Sequence, residues 1–224
     1  MAIITFRLNE NIYLRDPQTS DLGQSIIRES IVLIDAQGFE QFTFKKLAKS
    51  IGSTEASIYR YFENKHRLLI YLIDWYWTWL DYRLEFAVQN LSDPMEQLKS
   101  SLKILVEEKA FDANFGFVDE AALQRIVMAE FEKTYLTKQV DEDNKEGLFL
   151  PYKEVCKRVV GIVKQINPGY LFANSLISTV LLTINHQMFY AKHLPSLTDL
   201  KPNLTMQDEL YTFCESFILK SIAK

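Results

Sequence analysis

The sequence predicts an all-α protein: an N-terminal unit of three short helices, a connecting helix, and a larger C-terminal helical bundle. Three observations carry this. Glycine and proline number 7 and 6 in 224 residues, too few turn formers for a β-rich domain. Apolar residues recur at i, i+3, i+4 and i+7 along most of the chain. Capping residues and stop glycines stand at the ends of these periodic runs. A hydrophobic content of 48% is enough to bury a core, and the length allows one domain or two small ones.

Residues 1–18 alternate loosely between apolar and polar around Asn9-Glu10-Asn11 and read as an extended arm. The arm carries two basic and two acidic residues, a balance that favours folding on the body over reaching along a polyanion. Ser20 caps a first helix to about Gln37, with Ile26, Ile27, Ser30, Ile31 and Ile34 on one face. Gly38 stops it. Thr43 caps a second helix whose stripe is Phe44, Leu47, Ala48 and Ile51, with Lys45, Lys46 and Lys49 outside the stripe. Gly52 breaks it, and Ser53 or Thr54 caps a third helix over 54–61, with Ile58 and Phe62 turned to the core. Asn64 caps a long fourth helix from 65 to about 90. Further helices are predicted over 94–112, 118–138, 150–166, 170–193 and 205–223. The breaks between them include Gly116, the charged stretch 141–147, Asn167-Pro168-Gly169 and the stretch from Pro195 to Pro202. The 141–147 stretch reads as a solvated linker, because its carboxylates lack a calcium-loop spacing.

Charge and motif content exclude several classes. A net charge of −4 argues against a protein that coats nucleic acid by bulk charge. It leaves room for a small DNA-reading module: residues 20–70 hold seven basic and six acidic residues, against sixteen and twenty-one in 71–224. Cys156 and Cys214 are far apart and read as reduced, packed thiols, so neither a disulfide framework nor a zinc site is expected. The N-terminus lacks a long apolar signal segment and no membrane span is expected, so the reading is cytoplasmic. His66, His186 and His193 stand in no recognisable spacing with Ser, Cys or an acid, and no GxSxG, P-loop or HExxH occurs; no enzyme, cofactor or metal is expected.

The informative stretch is 43–69. Two short helices joined by a glycine turn, preceded by a supporting helix, form a helix-turn-helix layout. Thr43, Lys45 and Lys46 can face phosphate. Thr54, Glu55, Ala56, Ser57, Arg60 and Tyr61 lie off the apolar side of a helix that could enter the major groove, with small residues at 56 and 57 allowing close approach. Tyr59, near the boundary of the two faces, offers a flat body and a hydroxyl for phosphate, and Lys65 a charge for the far groove wall. Glu55 can accept from a cytosine amino group or simply sit in solvent near the helix start.

Residues 21–70 resemble the DNA-binding domain of the TetR/AcrR family of bacterial transcriptional regulators. The resemblance rests on Gly38, Thr43, Leu47-Ala48, Ile51-Gly52, Thr54, Ala56-Ser57, Ile58-Tyr59-Arg60-Tyr61-Phe62 and Asn64-Lys65. Ser53 departs from it, standing where the family usually has valine. The resemblance implies an arm over 1–19, a DNA-binding domain over 20–66 and a ligand-sensing, dimerising domain over 67–224. It implies a homodimeric repressor on a pseudo-palindromic double-stranded operator, released when an unknown small molecule tilts the fourth helix. The family's four-helix dimer contact would fall on 170–193 and 205–223, through Leu176, Val180, Leu181, Ile184, Phe213 and Phe217. Trp75, Trp79, Tyr82, Phe86, Phe117, Tyr152, His186 and Tyr190 are the pocket candidates, each with core packing as the competing role. The competing reading of the chain is a helical adaptor or small-molecule carrier that has lost operator binding.

Overall fold

The structure, a computed structural model, describes residues 4–223; the first three residues of the expected arm and Lys224 lie outside it. Its helices are α1 (Asp21–Gln37), α2 (Phe44–Ser50), α3 (Glu55–Tyr59), α4 (Lys65–Val88), α5 (Pro94–Val106), α6 (Glu120–Glu130), α7 (Glu132–Tyr135), α8 (Val140–Lys145), α9 (Leu150–Ile166), α10 (Ala173–His193) and α11 (Met206–Ile222). The described residues contain no strand, and none of their helices is long and apolar enough to cross a membrane. The chain divides into two compact units, Met1–Thr78 with Lys109–Pro151, and Trp79–Glu108 with Tyr152–Lys224.

In the first unit, local chemistry sets the helix ends. The hydroxyls of Ser20, Thr43 and Thr54 accept from the backbone N–H three residues on, as N-caps do. Gly38 and Gly52 take φ of 78° and 63°, a region where a Cβ is strained, so α1 and α2 stop there. Ile26, Ile27, Ile31 and Ile34 of α1 are buried, as are Leu47, Ile58 and Phe62, and α2 packs on both α1 and α3. α6 lies along α1, and Arg125 grips Asp35 with two bonds of 2.9 and 2.7 Å. The Glu130 carboxylate accepts from the Phe39 N–H at 3.1 Å, and Lys133 bridges Glu130 and Glu40. The arm is not extended throughout: short 3-10 turns at Glu10–Ile12 and Pro17–Thr19 fold it on the unit, with Leu8 and Ile12 buried.

Three expectations are corrected in the middle of the chain. The helix expected over 94–112 ends at Val106. Beyond it, the N–H groups of Lys109 and Asp112 donate to Gln124 and Glu120 of α6 instead of continuing a helix. The helix expected over 118–138 starts at Glu120 and is split into α6 and α7. The acidic stretch is the helix α8 rather than a solvated linker. Asp141, Glu142 and Asp143 occupy its first turn, where the helix dipole favours negative charge. Arg67 then anchors it, with one guanidinium nitrogen 3.4 Å from the buried Asp143 and another 3.2 Å from Glu146.

The second unit is built from the last part of α4 with α5, α9, α10 and α11; α5 and α10 both pack on α11. Val155, Val159, Ile162 and Val163 of α9, with Leu98, Leu102, Leu210, Cys214 and Ile218, form its core. Arg158 ties α9 to α4 by a bidentate pair with Asp81, at 2.7 and 2.8 Å, and by Glu85 at 3.2 Å. An open cleft of about 670 Å³ lies among Gln187, Leu200, Asp208, Thr212 and Phe213.

Candidate nucleic-acid interface

The α2–turn–α3 pair has its apolar side closed and its polar side open. Phe44, Leu47, Ala48 and Ile58 are buried, while Thr43, Lys45, Lys46, Thr54, Glu55, Ala56, Tyr59 and Arg60 are exposed and Ser57 is half-buried. Tyr59 is held without losing its hydroxyl to the core: its ring meets Phe44 edge-on at 5.0 Å and remains 48% exposed. Thr54 caps α3 and its hydroxyl lies 3.0 Å from that of Ser57, which fixes both groups at the start of the helix. Lys46 donates to Gln37 Oε1 and the Gln41 carbonyl, so its position follows α1 and the turn after it.

Two expected DNA contacts have other partners. Tyr61 is buried, and its hydroxyl lies 2.8 Å from Ser20 Oγ, tying the end of α3 to the cap of α1. Lys65 turns its ammonium inward, donating to the carbonyls of Phe39, Glu40 and Phe42 at 3.1, 3.3 and 3.3 Å, over the Phe39 ring. Those carbonyls belong to the turn between α1 and α2, so Lys65 supports the helix pair from behind. Asn64 had promised only a cap, and it does accept from the Arg67 N–H at 2.9 Å. Sequence spacing gave no sign of a carbonyl cluster twenty-five residues away.

The other candidates fall in different places. Leu176, Val180, Leu181 and Ile184 of α10 are buried within the second unit, so that apolar face is intramolecular core. Phe213 and Phe217 are 46% and 38% exposed, with rings stacked at 6.3 Å and 10°. The pocket candidates divide between the units. Trp75 is buried in the first, against Phe6 at 5.4 Å and Phe115 at 6.2 Å, and Phe117 is half-buried there. In the second, Trp79 is buried beneath the Arg83 guanidinium, and Tyr152, His186 and Tyr190 are half-buried. Tyr82 and Phe86 lie on the surface, 40% and 66% exposed, because the last two turns of α4 turn that face outward.

A helix-turn-helix with an open polar face, carried on an otherwise helical chain, defines a DNA-binding regulator class. Residues 26–72 match the family of bacterial regulatory proteins called the tetR family. No curated protein sequence matches the chain. Solved structures of such regulators share its fold at low identity. The ketosteroid transcriptional regulator KstR2 of Mycobacterium tuberculosis aligns with a TM-score of 0.58 and 18% identity, over 94% of this chain and 100% of its own. A putative transcriptional regulator from Saccharomonospora viridis, solved with choline, gives 0.60 and 13%, over 89% and 96%. AibR, solved with isovaleryl coenzyme A and operator DNA, gives 0.57 and 14%, over 86% and 95%. The family match covers the helix-turn-helix stretch, residues 26–72, and the solved regulators share the fold of the whole chain.

Proposed function

We propose that the protein is a cytoplasmic, ligand-responsive repressor that binds a pseudo-palindromic operator as a homodimer and has no catalytic role. The observation that carries the proposal is the exposed set Thr43, Lys45, Thr54, Glu55, Ala56, Tyr59 and Arg60 on α2, α3 and the residues flanking them, backed by a closed apolar side. The first residues of α3 and Arg60 would meet base edges; Thr43, Lys45, Lys46 and Tyr59 would meet phosphates. The DNA-binding domain is taken as 20–66, with the arm before it and the sensing and dimerising region over 67–224. Small-molecule binding is supported by choline and isovaleryl coenzyme A in the structures of similar fold. Among the pocket candidates, Trp79, Tyr152, His186 and Tyr190 of the second unit are the effector contacts we favour, and the exposed Tyr82 and Phe86 drop out. Dimer contact is assigned to Phe213 and Phe217 of α11.

Selection of bound duplexes from a random DNA pool tests the reading. Wild type is expected to enrich an inverted repeat, and a Tyr59→Ala, Arg60→Ala double variant, still folded, is expected to enrich none. No enrichment by folded, dimeric wild type would point instead to the adaptor or carrier reading.

A further inference from the structure

The N-terminal arm is pinned at one end to the first unit's interior and at the other to the end of α3. Phe6 packs on Trp75 and stacks on Phe115 at 5.7 Å, and Asn9 Nδ2 donates to the Glu146 carbonyl at 2.7 Å. Gln18 Nε2 closes the arm on itself by donating to the Phe6 carbonyl at 2.7 Å. The Leu14 N–H then donates to the Tyr61 carbonyl at 2.8 Å, and the next residue, Arg15, holds its guanidinium carbon 5.3 Å from the centre of the Tyr61 ring.

Arg15 is exposed, and no carboxylate lies within ion-pair distance of it among the described residues. Arg7, the other arm arginine, is spent on Glu10 at 2.6 Å. A guanidinium resting on a ring keeps its donors at the rim, free for an acceptor, and has lost part of its rotamer entropy before any partner arrives. Its anchor, Tyr61, follows Arg60 and stands two residues from Tyr59, so Arg15 sits beside the C-terminal end of α3. The major groove is about 12 Å wide. A cation at the side of a helix seated in such a groove is directed toward the wall, where the phosphates are.

We propose that the arm is part of the DNA interface and that Arg15 is a backbone-phosphate contact beside the recognition helix. The proposal rests on the reading of α2 and α3 as the operator-binding pair. The arm thereby adds a second cation beside Arg60, the C-cap of α3.

The test compares wild type, Arg15→Ala and Arg7→Ala as full chains on a duplex of about 30 base pairs selected by wild type from a random pool. Affinity is measured from about 50 to 200 mM salt. One phosphate contact per protomer contributes about 0.9 to the log–log salt slope, so a dimer of Arg15→Ala is expected to lose roughly 2 from it. Over that salt range, wild-type affinity should then fall roughly tenfold further than the variant's. Arg7→Ala, which removes the same charge from an ion pair, is expected to leave the slope unchanged. An unchanged slope for Arg15→Ala, or an equal drop for Arg7→Ala, overturns this proposal and leaves operator binding standing. A folded wild type that selects no duplex overturns both.

Discussion

Lys65 shows how a single side chain can be legible in type and misread in role. A lysine at the start of a helix beside a DNA-reading pair invites a phosphate contact, yet its three donors are used by the carbonyls of Phe39, Glu40 and Phe42. Charge-assisted hydrogen bonds of this kind contribute more than neutral ones. Lys65→Ala is therefore expected to destabilise the fold by roughly 1–3 kcal/mol in chemical denaturation, while the salt slope of operator binding hardly changes. Asp74 makes a second prediction at this scale. It is buried on α4, its Oδ2 has no hydrogen-bond partner among the described residues, and burial holds its carboxyl well above the usual carboxylate range. The folded state thus keeps a proton that the unfolded chain releases near pH 4. Stability from this group is present below that pH and is lost as pH rises from there toward the folded value. Asp74→Asn removes the penalty. Its stability relative to wild type should grow between about pH 4 and pH 7, as read from denaturation midpoints; a constant difference would contradict this.

Whether an element could be read from the sequence depended on whether its cause was local. The starts of α1, α2 and α3 were visible because Ser20, Thr43 and Thr54 cap their own helices, and the stops because Gly38 and Gly52 adopt positive φ. α8 was hidden because its stabilising partner, Arg67, is more than seventy residues away. The early end of α5 was hidden because the backbone donors of Lys109 and Asp112 go to side chains of the next helix, Gln124 and Glu120, fifteen and eight residues on. If α8 depends on Arg67, Asp143→Ala should lower stability by about 2 kcal/mol, less than the roughly 3–5 for a fully buried pair, since Arg67 is partly solvated. Hydrogen exchange should then show faster opening of 140–148 than of α1, whereas uniform protection would show α8 to be held by its apolar contacts alone.

At the scale of the whole molecule, periodicity identifies an apolar face without saying what covers it. The stripe on α10 and the rings on α11 looked alike in sequence, and a second copy could have covered either. In the structure, Leu176, Val180, Leu181 and Ile184 are covered within the second unit, whereas Phe213 and Phe217 keep large exposed faces. The two stacked phenylalanines form an apolar surface that a second copy could cover, worth roughly 2 kcal/mol per ring when fully withdrawn from water. A two-fold axis would multiply the effect, because each ring is used on both copies. The two faces should therefore respond differently to charge. Phe213→Glu with Phe217→Glu is expected to give a monomer by light scattering, with the helical signal retained and operator affinity reduced at low protein concentration. Leu181→Asp places an unpaired carboxylate in the core and should give insoluble or unfolded protein at any concentration. If the double glutamate variant stayed dimeric, the interface would lie elsewhere. If Leu181→Asp were instead a folded monomer, α10 would be the interface after all.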